Sequence, residues 1–186
     1  VAVSCLIPPF SRKFLTNLKE IPIHMAKRVL KWGKVGRSGP EVSSANFVGE
    51  YLHTLDSKGR LALPAKFRET LGPRFIIARG LDKCLFVYPN DEWDQVMEKL
   101  KTLPISRKDA RHFTRYFLSG ATEAEPDKQG RVVIPQNLRE YAGLNKDVFI
   151  LGVGSRIEIW DKDAWEQTKI GLEAEFSVLA ESVAGI

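Results

Sequence analysis

The sequence predicts an α+β protein, predominantly β, built from two related modules that pair about a pseudo-twofold axis. Three observations carry this reading. The stretch LDSKGRLALPAKFRETLG, Leu55 to Gly72, returns as PDKQGRVVIPQNLREYAG, Pro126 to Gly143, at a constant offset of 71 residues and with seven identities. Each copy holds short strand patterns around one short helix, too little to close a core alone. Two copies are also too few for a solenoid, in which three or more units stack, so the halves must complete each other.

Composition sets the frame. A chain of 186 residues, 44% hydrophobic, can bury a core. No apolar run approaches the roughly 20 residues that cross a bilayer, and the early run from Cys5 to Phe10 is broken by Pro8 and Pro9. No membrane partner is expected. Cys5 and Cys84 cannot make a disulfide framework, and with His24, His53 and His112 scattered, no metal or other cofactor is expected. A reducing cytosol fits, with Cys84 a buried thiol. The net charge of +5 resides in the leading segment: Val1 to Val48 holds eight Lys and Arg against Glu20 and Glu41, which leaves −1 for the rest. A DNA-binding reading must therefore rest on local patterning.

Residues 1–46 show no sustained period and carry Gly33, Gly36, Gly39 and Pro40. They read as a basic, poorly ordered arm, or as a misassigned start, since the chain opens on Val and Met25 precedes a basic run. Charge follows the apolar piece here, the reverse of a secretory signal. The first module is expected over 47–100. Glu50 to Leu55 forms a strand, Asp56 to Gly59 a turn and Arg60 to Leu63 a returning strand, together a hairpin. Pro64 suits the first position of a helix and Gly72 the left-handed position after its end. Strands follow at Phe75 to Arg79 and Cys84 to Tyr88, then a helix opening at Asp91 with Trp93, Val96, Met97 and Leu100 at helical spacing.

The segment 101–119 reads as a linker helix. Ser106 to Asp109 has the form of a capping box, Ala110, Phe113 and Phe117 share one face, and Arg107, Arg111 and Arg115 line another. The second module, 120–186, repeats the turn and helix, adds strands at Val148 to Leu151 and Arg156 to Trp160 about a turn at Gly152 to Ser155, and ends in a helix. There Trp165, Leu172, Phe176 and Leu179 form a stripe for core or subunit contacts.

The chemistry concentrates in the repeated turn. Asp56 and Asp127 can accept backbone N–H bonds, and Gly59 and Gly130 supply the positive φ the turn needs. Arg60 and Arg131 either close back on the Asp or reach a phosphate or guanine edge. Lys58, Arg60, Lys66 and Arg68 crowd the first copy, and Lys128, Arg131 and Arg139 the second. Basic ribbons of this kind can enter a major groove.

The run GEYLHTLDSKGRLALP, Gly49 to Pro64, together with DKQGRVVIP, Asp127 to Pro135, resembles the MraZ family over most of the chain from Phe47. The resemblance implies two SpoVT-AbrB-type swapped-hairpin modules whose strands interleave into one pseudo-twofold β-barrel with flanking helices. It further implies a bacterial transcriptional regulator of the division and cell-wall gene cluster, placed in the cytoplasm at the nucleoid. Its partners would be double-stranded DNA carrying direct promoter repeats and other copies of itself in a ring-like homo-oligomer. The family's D-x-x-x-R signature falls on Asp56 and Arg60 and on Asp127 and Arg131. That shifts Arg60 towards base edges and Lys58 towards phosphate, with Asp56 fixing the turn. The leading 46 residues depart from the family pattern.

An enzyme is not expected. Asp56 and Asp127 could meet across the axis, but each has a turn to make, and no His or Ser recurs with them. Gly152 to Ser155 lacks the Lys and spacing of a phosphate loop, and no small-molecule substrate is expected. The competing reading is an interaction protein of antitoxin type, whose main partner is another protein.

Overall fold

The computed structural model describes residues 45–184; residues 1–44, all but the last two of the expected arm 1–46, lie outside the described residues, as do the side chains of Leu179 and of residues 182–184. Repeat one runs β1 (Phe47–Thr54), β2 (Arg60–Ala62), α1 (Ala65–Leu71), β3 (Phe75–Arg79) and β4 (Leu85–Pro89). Two helices follow, α2 (Asn90–Lys101) and α3 (Lys108–Leu118). Repeat two supplies β5 (Thr122–Ala124), β6 (Arg131–Val133), α4 (Gln136–Tyr141), β7 (Asp147–Gly154), β8 (Arg156–Asp161) and α5 (Lys162–Ala184).

The strands form a six-stranded antiparallel sheet in the order β1-β7-β8-β4-β3-β5 and a two-stranded ribbon of β2 with β6. Exchanging each strand for its counterpart in the other repeat reverses the sheet order and leaves it the same. The axis runs through the β4–β8 ladder, where Phe86 faces Glu158. It also passes the ribbon, where Leu61 faces its own counterpart Val132.

The expected hairpin of the first strand with the second shrinks to one bridge, Leu55 to Leu61. β1 pairs along its length with β7, from Phe47 opposite Gly154 to Thr54 opposite Asp147, and β5 pairs with β3. The reason is backbone satisfaction. The turn is tight and β2 is only three residues long, so most donors and acceptors of β1 need another partner, and the other repeat provides it.

Four smaller differences have local causes. β5 was not expected, because Thr122, Glu123 and Ala124 show no apolar alternation. Gly152 lies within β7 rather than in a turn, which narrows to Gly154, φ 64°, and Ser155. Pro64 and Pro135 stand just before their helices with extended ψ of 138° and 146°. Their carbonyls accept the N–H of Arg68 at 3.1 Å and of Arg139 at 3.0 Å. The capping box at Ser106 does not form: α3 starts after Arg107 with no side-chain cap, because the Asp109 carboxylate is drawn to the Arg107 guanidinium.

Both sheet faces are covered, so the central strands are apolar on both sides. Leu85 and Val87 of β4 join Ile157 and Ile159 of β8, Ile77, Ile150, Phe67, Leu138 and the ribbon's Leu61 and Val132 in the main core. Phe86 and Tyr88 turn to the other face, against Trp160, Phe117 and the half-buried Trp93, Val96, Leu100 and Trp165. Cys84, fully buried just before β4, has its thiol pushed up to about 12 by burial. The Trp93 stripe is thus core, but Leu172 and Phe176 at the far end of α5 are exposed.

Candidate nucleic-acid interface

The two repeated turns flank the ribbon and are built alike. Asp56 Oδ1 accepts the N–H groups of Lys58 and Arg60, each at 2.9 Å, and Oδ2 accepts Arg60 Nε at 2.6 Å. Asp127 Oδ1 accepts from Gln129 and Arg131 N–H, both at 2.9 Å, and Oδ2 takes Arg131 Nε at 2.9 Å and Nη2 at 2.8 Å. These bonds favour the charged carboxylate. The backbone N–H of Arg60 is the chief cause holding Asp56 below its ordinary value. The Arg131 side chain is the chief cause bringing Asp127 down to about 2.

Glycine is required at both turns by backbone conformation and is favoured further by a close approach. Gly59 and Gly130 have φ of 72° and 75°, a region that costs other residues roughly 1–2 kcal/mol. Each also lies under an arginine from the opposite repeat. A Cβ on Gly59 would meet Arg139 Cζ at 2.9 Å, and one on Gly130 would meet Arg68 Nη1 at 2.0 Å. Arg139 Nε is fixed by the Ile134 carbonyl at 3.1 Å.

Strand exchange therefore re-sorts the cations. The first turn gathers Lys58, Arg60 and Arg139, and the second gathers Lys128, Arg131 and Arg68. The excess of cations counted along the first copy is not an excess around the first turn. Lys66 sits exposed on α1, and Lys58 and Lys128 are exposed at the tips. The sequence places Arg139 among the cations of the second copy, whereas the structure places it over the first turn; its identity with Arg68 at the 71-residue offset marks the two as equivalent.

The ribbon register decides what faces outward. Leu61 and Val132 point into the core, so Arg60, Ala62, Arg131 and the exposed Val133 share the outer face. Arg60 faces Val133 and Arg131 faces Ala62, so the two arginines are diagonal neighbours, about 7–8 Å apart. Both guanidinium side chains are 29% exposed. Among the described residues, Arg60 engages only Nε with a carboxylate, leaving both terminal nitrogens open, whereas Arg131 also commits Nη2. A planar fork presented on a rigid ribbon is the geometry that recognises phosphate or the O6 and N7 of guanine.

The family described as "MraZ protein, putative antitoxin-like" matches residues 46–116 and again 117–182. A protein of Desulforamulus reducens named "Transcriptional regulator MraZ" is 56% identical over 140 residues, 75% of this chain and 99% of that relative. One of the same name from Caldanaerobacter subterraneus is 56% identical over 134 residues, 72% of this chain and 94% of its own. A third, from Desulfitobacterium hafniense, is 55% identical over 140 residues, 75% of this chain and 98% of its own.

Proposed function

This chain belongs to the MraZ family, and from that premise we propose that its β2–β6 ribbon is the DNA-reading surface of a transcriptional regulator. The observation that carries the reading is the outer ribbon face, where Arg60 and Arg131 stand side by side, each braced by the aspartate of its own turn. Arg60 reads a base edge, and Lys58, Lys128 and Lys66 neutralise flanking phosphates. Arg68 and Arg139 mainly hold the opposite turns in shape while adding positive potential. Binding of this kind asks for no catalytic residue, cofactor or small-molecule substrate.

The sheet and the ribbon share one apolar core, which supports treating them as a single swapped-hairpin barrel of two AbrB-like modules, 47–100 and 120–186, joined by the helical segment 101–119. No described helix is long and apolar enough to cross a membrane. The regulator acts in the cytoplasm, at the nucleoid, on direct repeats upstream of the division and cell-wall gene cluster, with several copies engaged together.

The test is an electrophoretic titration of the full chain against DNA upstream of its own gene. Specific retardation that survives excess unrelated DNA at 150 mM salt is expected. Salt-labile binding to every sequence alike would overturn the reading.

A further inference from the structure

Helices α2 and α3 are joined on the sheet side, where Trp93 stacks on Phe117 with ring centroids 5.8 Å apart. Their outward side is open. Between them runs a groove of about 480 Å³ whose floor includes Met97, Leu100, Leu103 and Leu118, within the roughly 300–1,000 Å³ of small-molecule sites. Ile105 stands 80% exposed at its lip. Among the described residues, none of the side chains lining the groove is aromatic, so the floor suits a flexible alkyl chain better than a flat ring.

The spacing along α3 sets the charge beside this floor. Ala110, Thr114 and Leu118 follow at i, i+4 and i+8 and make one wall, and Arg111 and Arg115, each one position further round the helix, border that wall. Lys101 is paired with Glu98 at 2.6 Å, and Arg107 takes the Asp109 carboxylate. Arg111 and Arg115 are left with no carboxylate among the described residues. Arg111 is also held in place: its Nη1 donates to the carbonyls of Ile105 and Ser106 at 2.7 and 2.9 Å. That fixes the guanidinium at the lip, while its Nε–Nη2 edge makes no bond among the described residues. Such an edge is the planar fork that a carboxylate occupies bidentately.

An aliphatic trough bordered by an oriented, unneutralised guanidinium is complementary to an apolar chain with an anionic head. We propose that the α2–α3 groove binds a free single-chain fatty carboxylate, its alkyl chain laid along Met97, Leu100, Leu103 and Leu118 and its head on Arg111, with Arg115 adding positive potential. Burial of the chain removes apolar surface from water on both sides, and the head neutralises the rim. A groove between two helices admits one chain, whereas a bilayer presents a plane. The pair covers the sheet face opposite the ribbon, so a chain bound there does not obstruct the DNA-reading surface.

Isothermal titration of the full chain with dodecanoate, kept below its micelle concentration, tests this. Saturable binding of one dodecanoate per chain is expected, with dodecanol, an uncharged head on the same alkyl chain, weaker by about tenfold or more because the charge-assisted bonds are lost. Arg111→Gln should weaken dodecanoate by a similar factor and leave dodecanol unchanged. Ile105→Glu, at an exposed position, should also weaken dodecanoate by setting a carboxylate against the same guanidinium, with an unfolding midpoint equal to the parent's. Equal affinity for dodecanoate and dodecanol, heat that never saturates, or both variants binding dodecanoate as the parent does would overturn the proposal. Binding that appears only when the protein is diluted to single chains would assign the groove to a second copy, and binding to phosphatidylglycerol vesicles with none to dodecanoate would assign it to a membrane surface. Either result rejects the fatty carboxylate.

Discussion

Arg60 and Arg131 occupy equivalent places, yet their guanidinium groups are committed differently. Arg60 spends one nitrogen on Asp56, whereas Arg131 spends two on Asp127. With five N–H donors per guanidinium, Arg60 keeps four and Arg131 three; a bidentate guanine contact is open to both, but Arg131 is clamped by its aspartate and offers only the Nη1–Nη2 edge. Arg60→Ala should weaken operator binding by about 10- to 100-fold, the loss of one bidentate pair worth roughly 1–3 kcal/mol, and Arg131→Ala by clearly less; titration at one salt concentration checks the order. The acid response is the second expectation at this scale. Asp127 is depressed from 3.8 to about 2, so its contribution to stability is complete above pH 4, declines between about 4 and 2, and is absent below. Asp127→Asn should therefore be less stable than the parent at neutral pH, with the gap closing as pH falls through that window in low-salt melts. The Asp, Gly and Arg of each turn were legible in the sequence because a turn satisfies itself within five residues. Arg139 over Gly59 was not, since that approach is set by strand exchange between residues 80 positions apart.

At the scale of elements, two glycines predict opposite outcomes for the same substitution. Gly152 faces Gly49 in the β1–β7 ladder, and a Cβ there would lie 2.4 Å from Val48 N and 2.5 Å from Phe47 C. Backbone cannot swing aside as a side chain can. Gly152→Ala should separate β1 from β7 at a cost of about 1–3 kcal/mol, several degrees in the unfolding midpoint. Gly171 lies in the exposed stretch of α5 with nothing within 4 Å of its would-be Cβ. There Gly171→Ala should stabilise the helix by about 0.5–1 kcal/mol, read as slower amide exchange around residue 171. Sequence spacing located the strands and helices whose apolar period is strong, such as β4 and α2. It could not locate β5, which owes its conformation to the edge of β3 rather than to its own side chains. Nor could it give the partner of β1, because the hairpin pattern is the same whether the chain folds back on itself or crosses to the other repeat.

For the whole molecule, charge and symmetry constrain how DNA can be held. The 71-residue offset already implied the pseudo-twofold, and the reversible strand order follows it. What two copies of a module cannot disclose is that their terminal helices differ in packing, since Trp93 and Trp165 open those helices alike. The residues after Val48 sum to −1, so bulk charge does not hold this body on DNA, and the body's own attraction must come from the few cations around the ribbon. Within this body, Lys58, Arg60, Lys66, Lys128 and Arg131 could neutralise at most five phosphates, contributing no more than about −4.5 to the slope of log affinity against log salt, to which the eight Lys and Arg of Val1 to Val48 can add. A single chain on a single repeat should therefore bind weakly. Several copies engaged together would meet a second repeat at high effective concentration, gaining about 10²- to 10⁴-fold without any new kind of contact. That gain requires both ribbons to face the same side of the duplex. Moving one repeat by half a helical turn, about 5 base pairs, should return affinity to the single-repeat level. Affinity unchanged by the shift, measured by titration on the same DNA pair, would show that copies do not hold the two repeats together.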